Sequence, residues 1–535
     1  MTKLPDLHGD GRTVAIGLVA SLGVGQAVAT GIAAFATRDV FAALHGGADL
    51  PAAALFSLAA AGVAVAAVRA WSRTIAEGLG QSFALSLRSA LYKHLAGMSY
   101  SEVAARRSGA LGLRFVGDLT AARNWVSLGL TRLISACLVL PGAAIALYLL
   151  NPDLALAAMV PVGLSVLLMV ALAALIGALH RQLRSKRANI AIAMIERVTV
   201  APLLDLMGRT KKELRQLDDQ GAQLRDRAVR RVRAISGLRA LPEIGAGLAG
   251  VAILAIASIT GAPAAEAAGA LAVLGILVLP LRELSGVWDQ RCAWRVARHK
   301  CELVFAKPSA TRGQNRRSGP VPVVFEGVHF RGIELDFRLE AGETLIVQGP
   351  VGSGKSSLLA LAAGLETPDQ GRVSLGDQQH RPTTVFLGSG TPILQGSLRR
   401  ALTLGIAKRP KDKVIVAAAE RFGLASVIDR LGGLDGRVSE GGRNLSSGER
   451  FRLLLSRTLL ASPDVLILDA GEVNNDAENA TLACDLIRNV NATVLAVMPD
   501  RSCTSDQWHY LKLSDHRTME YSDELIEGRL LKDAA

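Results

Sequence analysis

The residues that could do chemistry begin with Gly349–Ser357, GPVGSGKSS. This stretch follows the apolar run Thr344–Val347 and precedes Leu358, Leu359 and Leu361, so it reads as a loop between a strand and a helix. The spacing G-x-x-x-x-G-K-S is that of a phosphate-binding P-loop. Gly349, Gly352 and Gly354 let backbone N–H groups turn inward around phosphate oxygens, and the helix start adds the positive end of its dipole. Pro350, Val351, Ser353 and Ser357 complete the loop. Lys355 is spaced to reach the β- and γ-phosphates, and the Ser356 hydroxyl to ligate Mg²⁺. About 110 residues on, the apolar run Val465–Leu468 ends in Asp469. A buried strand that delivers one carboxylate at its C-terminal end is how P-loop enzymes hold Mg²⁺ through water.

These residues must be positioned by the second half of the chain. From Val323 the pattern changes to short β-type runs (Val323–Phe325, Leu335–Leu339, Thr344–Val347) and then to α/β alternation. Residues 323–535 are therefore expected to form an α/β P-loop nucleotide-binding domain. Residues 306–322, rich in Arg, Ser, Gly and Pro, read as a linker.

Residues 1–305 have a different character. Half of the 535 residues are apolar, only 4% are aromatic, and the net charge is +13. Thr13–Thr37 and Ala52–Val68 are long enough to span a bilayer, which needs about 20 apolar residues. The first reads as a membrane anchor rather than a cleavable signal. Arg38 and Asp39 are expected to end it, and Gly17, Gly23 and Gly31 to allow close helix packing. The second is expected to run on through Arg69 and Arg73 into the cytosol, followed by a mixed helical stretch over 81–127. Residues 133–180 hold no Lys or Arg and break only at Asn151-Pro152-Asp153, a turn signal that divides two spans. Residues 181–239 hold 15 Lys/Arg against 6 Asp/Glu, a basic helical excursion. Residues 240–281 again lack Lys and Arg and divide at Gly261-Ala262-Pro263.

The count is six spans with both ends inside, an all-α six-span transmembrane domain. Basic residues lie between the apolar runs, where the positive-inside rule expects them, so the charge argues for membrane lipid as neighbour and against nucleic acid. The cysteines Cys137, Cys292, Cys301, Cys484 and Cys503 show no metal or disulfide spacing and read as reduced thiols. Gln26, Ser135 and Glu243 could line a cavity, although a lone polar residue in a span more commonly satisfies a neighbouring helix.

Between the P-loop and Asp469 lies Asn444–Arg450, NLSSGER, then the helical run Phe451–Leu460 and Ser462-Pro463-Asp464. The stretch VSEGGRNLSSGERFRLLLSRTLLASPDVLILD resembles the signature region and Walker B strand of the ATP-binding cassette (ABC) family. RRSGALGLRFVGDLTAARNW resembles the first cytosolic loop of its exporter-type membrane domain, and PLRELSGVW the exit from its sixth span. The resemblance implies ATP and Mg²⁺ as cofactors and an integral, multi-pass protein of a bacterial-type cytoplasmic (inner) membrane, with its cassette in the cytosol. It further implies that the signature Leu445-Ser446-Ser447-Gly448-Glu449 faces ATP held by a partner half-transporter, Ser446 and Gly448 touching the γ-phosphate.

The departures from the family pattern are equally specific. Ala470 stands where the family has a catalytic Glu, and alanine cannot polarise an attacking water; Glu472 lies two residues further on. Pro499 stands at the switch His, Ser389 at the Q-loop Gln, and no aromatic occupies the adenine-stacking position near Gly332. These imply the degenerate-site subunit of a heterodimeric exporter, moving an unidentified small molecule or peptide. A homodimer with slow ATPase, or a membrane regulator that binds ATP without pumping, remains open. Glu449 in place of the family Gln adds a negative charge that the sequence alone does not explain.

Overall fold

Proline, asparagine and glycine set where the long N-terminal helices begin and end. The computed structural model describes residues 4–7, 9, 11–105, 112, 114–309, 315–316, 319–376, 380–388, 390–469, 477–498, 505, 507–513 and 519–521. Its contacts divide the chain into two units, one of Met1–Ala96 with Ala104–Pro308, the other of Gly97–Val103 with Ser309–Ala535.

In the first unit, six helices are long and apolar enough to cross a membrane. Arg12–Gly46 stops at Gly47, whose φ of +64° is the left-handed conformation that closes helix ends. The charges at Arg38 and Asp39 do not end it. They pair with each other at 2.8 Å, and the Arg38 guanidinium lies over the Phe35 ring, so the helix runs on for two more turns. Ala52–Ala96 extends as expected well past its apolar half. Asn151 caps the helix Pro152–Leu206, its side-chain oxygen accepting from the N–H groups of Asp153 and Leu154, with Pro152 at the first helical position. Thr210–Thr260 ends at Gly261, with φ +68°, and Pro263 precedes Ala264–Phe305.

Small residues let these helices approach closely, at sites only partly foreseen. Gly23 lies against Leu138, but Gly17 has no neighbour within 4 Å where a Cβ would stand, and Gly31 makes only ordinary contact with Ala146. Tighter approaches are those of Gly142 on Ala27, Gly245 on Ser165, Gly80 on Ser127 and Gly269 on Leu150. The core is aliphatic, with Leu147, Leu154, Ile253 and Leu281 essentially sealed. Beyond the apolar segments, ion pairs tie the helices together: Arg184 reaches Asp118 at 2.7 Å and Arg231 grips both oxygens of Asp289. Two π-helical turns, Arg114–Asp118 and Trp125–Leu130, interrupt the approach to Thr131–Leu150.

In the second unit, a six-stranded sheet runs in the order Met519–Tyr521, His509–Leu513, Thr344–Gln348, Thr493–Val497, Val465–Asp469, Thr384–Leu387. All pairings are parallel except that of the first two. The strands Thr344–Gln348, Val465–Asp469 and Thr493–Val497 are buried along nearly their whole length, as continuous apolar runs in a parallel sheet require. A three-stranded antiparallel sheet (Ile333–Leu339, Val323–Phe330, Gln370–Leu375) packs beside it through Phe325, Leu335, Leu345 and Leu359. Asp464, buried, accepts from the backbone N–H of Gly319 at 2.6 Å and of Thr383 at 2.7 Å, fixing both segments to the start of the Val465–Asp469 strand. The segment Gly97–Val103 docks in this unit: the Tyr100 N–H donates to Leu365 O, and Ser101 donates through its N–H and its hydroxyl to the two carboxylate oxygens of Glu366. Cys484 is disulfide-bonded, contrary to the expectation of reduced thiols throughout; Cys137, Cys292 and Cys301 are free.

Candidate nucleotide-binding site

Strand register brings the chemistry-bearing positions to one edge of the sheet. Val347 pairs with Val497, Val497 with Asp469, and Leu468 with Leu387, all in parallel strands. The P-loop after Gln348, Asp469 itself, and the residues following Val497 and Leu387 therefore leave the sheet at the same carboxyl end. That is where ligands bind in parallel α/β sheets. Strand spacing of about 4.8 Å puts Asp469 roughly 10 Å across the sheet from the base of the P-loop. Ser389, Ala470, Glu472 and Pro499 lie outside the described residues.

The loop has the local form that the sequence anticipated. Gly349 has φ +144° and a Cβ there would come within 2.5 Å of the Leu513 carbonyl oxygen, so only glycine fits. Gly354, at φ +98°, caps the helix Lys355–Ala362, and a Cβ on it would strike Ile333 Cδ1. No side chain among the described residues caps that helix. The Ser353 hydroxyl is buried without a hydrogen-bond partner there. The Lys355 ammonium donates to the loop's own carbonyls, Gly349 O at 2.7 Å and Pro350 O at 2.5 Å. Open N–H groups at a helix start, an orphaned hydroxyl and a lysine held only by backbone oxygens fit a polyphosphate. Val351 is fully exposed at the loop tip, and Ser356 and Ser357 lie in the first helical turn.

A hairpin turn occupies the position near Gly332 where the family has an aromatic. Arg331 and Gly332 both have positive φ, 51° and 82°, forming a two-residue turn between Val323–Phe330 and Ile333–Leu339. Arg331 is exposed at this turn, its guanidinium 5.1 Å from the Phe330 ring centroid. Arg331, next to the position where the family has an aromatic, was not among the residues expected at the site.

The signature segment is built around Glu449. Ser446 caps the helix Ser447–Ala461, its hydroxyl accepting from the Glu449 N–H at 3.1 Å while the Glu449 carboxylate accepts from the Ser446 N–H at 2.9 Å. Arg430 grips the same carboxylate with both terminal nitrogens, at 2.9 and 2.8 Å. That pairing, together with the bonds to Ser446, holds the Glu449 carboxyl below the usual glutamate range. The added negative charge is thus spent inside the helix start. The S-x-x-E spacing is a local capping signal that went unread in the sequence; Arg430, nineteen positions earlier, gave no local signal.

Ser447, Gly448 and Asp469 line one cleft of about 860 Å³ together with Gly388, Glu440 and Arg450. Leu445 is buried in the core and Ser446 is exposed. The P-loop residues do not line that cleft.

Comparison with known proteins agrees with this architecture. The family model for the ABC transporter transmembrane region matches residues 14–259, and the ABC transporter model matches residues 333–471. The ABC multidrug transporter mdr2 of Aspergillus fumigatus is 29% identical over 248 residues, 42% of this chain and 30% of that protein. The mycobactin import ATP-binding/permease protein IrtB of Mycolicibacterium thermoresistibile is 32% identical over 233 residues, 40% of each. The chain thus spans less than half the length of these curated relatives. The structure of a bacterial Atm1-family ABC exporter with ATP bound superposes with a TM-score of 0.75 at 19% identity, covering 94% of this chain and 93% of that one. Six membrane-spanning helices followed by a P-loop cassette, in one continuous polypeptide, make this chain a member of the ABC transporter family with the exporter-type fold, a multi-pass membrane protein whose cassette is cytosolic.

Proposed function

We propose that this chain is one half of an ATP-driven transporter, paired with a second half-transporter, and that its own ATP site hydrolyses slowly. The observation that carries the reading is the P-loop, fit for polyphosphate, at one sheet edge with Asp469 and on the same chain as six membrane-crossing helices. Backbone N–H groups of Gly349–Ser356 and the Lys355 ammonium would hold the phosphates, and Ser356 and Asp469 would hold Mg²⁺. Bound Mg²⁺ would neutralise phosphate charge.

Ala470 after Asp469 and Pro499 after Met498 support the degenerate-site reading, because neither can orient water or sense a γ-phosphate. A heterodimer follows as the preferred assembly: Ser446, Ser447 and Gly448 would complete the partner's competent site. The exposed apolar residues Leu203, Leu206 and Met207, at the turn between the two longest helices, support a second protein surface as neighbour. Export is the direction the fold suggests. An import permease among the relatives makes direction a matter for vesicle assay.

The test is a mild-detergent pull-down of the tagged chain from its native membrane, followed by ATPase assay. A co-purifying cassette chain that keeps the Glu and His is the expected result. A homodimer with ordinary transporter turnover would overturn the degenerate-site reading.

A further inference from the structure

A second site lies inside the first unit, away from the cassette. A cavity of about 320 Å³ is lined by residues of four helices, among them Arg69, Arg73, Arg132 and Glu283. That volume is at the small end of ligand pockets. Its depth follows from helix rise. Arg69 is 17 residues from the outer start of its helix at Ala52, Arg132 is 18 from the outer end at Leu150, and Glu283 is 19 from Ala264. At about 1.5 Å per residue these distances are roughly 26–29 Å, the cytosolic edge of a ~30 Å hydrocarbon layer. Two arginines and a glutamate at one depth, with Arg73 one turn further along its helix, are a costly arrangement that a membrane protein keeps for a purpose.

The charges are not consumed internally. Among the described residues, Arg69, Arg73 and Arg132 have no carboxylate within ion-pair distance, while Arg282 and Glu243 nearby pair with each other. Arg69 instead lies against the Gln26 amide, whose oxygen, in the amide orientation that satisfies both side chains, accepts from Nε at 3.2 Å and Nη2 at 3.3 Å. The Arg132 guanidinium reaches across to Gly286, one turn beyond Glu283, where a Cβ would stand 3.5 Å away.

A second, independent sign is Ser127. Ser127 is among the cavity's lining residues, is 3% exposed, and its buried hydroxyl has no hydrogen-bond partner among the described residues. It sits in the π-helical turn Trp125–Leu130, a local irregularity that recurs at functional sites. Ser72, Thr131 and Ser135 add further hydroxyls, and Ala76, Val139 and Leu279 an apolar wall. Guanidinium forks match carboxylate and phosphate oxygens pairwise. Three arginines against one glutamate leave an excess of two positive charges.

We propose that this cavity binds a small soluble organic anion carrying at least two acidic groups, carboxylate or phosphate, entering from the cytosolic side. The inference rests on the transporter reading and names its substrate class. An anionic lipid headgroup offers the same chemistry, so the test separates the two sources.

The full chain, with any partner that co-purifies, is placed in phosphatidylcholine nanodiscs and titrated with citrate by calorimetry, in parallel with a non-hydrolysable ATP analogue. Retained lipid is read by native mass spectrometry from nanodiscs containing phosphatidylglycerol. Saturable citrate binding is expected, weakened about tenfold by Arg69→Gln and again by Arg132→Gln, as loss of a charge-assisted hydrogen bond predicts. Arg38→Gln, outside the cavity, leaves it unchanged, and ATP-analogue binding by every variant shows that each is folded. Citrate binding that is absent, or indifferent to both arginines, overturns the proposal. So does arginine-dependent retention of phosphatidylglycerol alone, which assigns the cavity to a headgroup. Loss of ATP-analogue binding by the wild-type chain would instead strike the transporter reading.

Discussion

Lys355 and Glu449 show how single side chains prepare the cassette for its ligand. The Lys355 ammonium is held by two carbonyls of its own loop, which phosphate oxygens would replace under the proposed function. Lys355→Ala is expected to weaken ATP-analogue binding by about 2 kcal/mol, or roughly thirtyfold, measured by fluorescence titration. Glu449 is held low in pKa by Arg430 and Ser446, so its contribution to stability is full above the ordinary glutamate range and is lost as pH falls through its depressed folded value. Heat unfolding should therefore show an acid-side loss below about pH 4 that Arg430→Ala reduces. Ser446→Ala removes the reciprocal cap and is expected to destabilise the signature helix by about 1 kcal/mol. The S-x-x-E spacing was readable in the sequence because it is local. The Arg430 clamp was not, because it is made across a fold.

At the scale of elements, joints rather than lengths carry the consequences. Asp464 satisfies two buried backbone donors from segments distant in sequence. Asp464→Ala leaves both unpaired and is expected to cost roughly 2–4 kcal/mol in denaturant unfolding. The short helix Tyr100–Ala104 is anchored through Ser101 on Glu366, just beyond the P-loop helix. Glu366→Ala is expected to lower ATP-driven transport by the reconstituted assembly while leaving ATP-analogue affinity unchanged, which separates coupling from binding. Turn chemistry made the division of spans at Asn151-Pro152 and Gly261 legible beforehand. The continuation of the first helix past Arg38 and Asp39 was hidden, because adjacent charges that pair with each other no longer oppose the helix.

For the whole molecule, the central expectation is division of labour between two chains. Ser446→Arg should abolish ATP turnover by the assembled transporter even though this chain's own P-loop is untouched. The chain alone should show little ATPase. The cavity around Arg69 and Arg132 adds a separate requirement, that a soluble anion binds with the cassette still competent.

By itself the sequence determined the six spans, the α/β cassette and the P-loop with its downstream aspartate. Each is encoded by local composition or short spacing: apolar runs matched to bilayer thickness, glycines before a lysine, a carboxylate ending an apolar strand. Tertiary structure decided what lies between distant residues. It placed the P-loop and Asp469 at one sheet edge through a strand from elsewhere in the chain. It neutralised Glu449 with Arg430, and it gathered Gln26, Arg69, Ser135 and Glu283 around one cavity while pairing Glu243 with Arg282 outside it. Such juxtapositions depend on which helix faces and strand registers meet, and chain order carries no direct record of them.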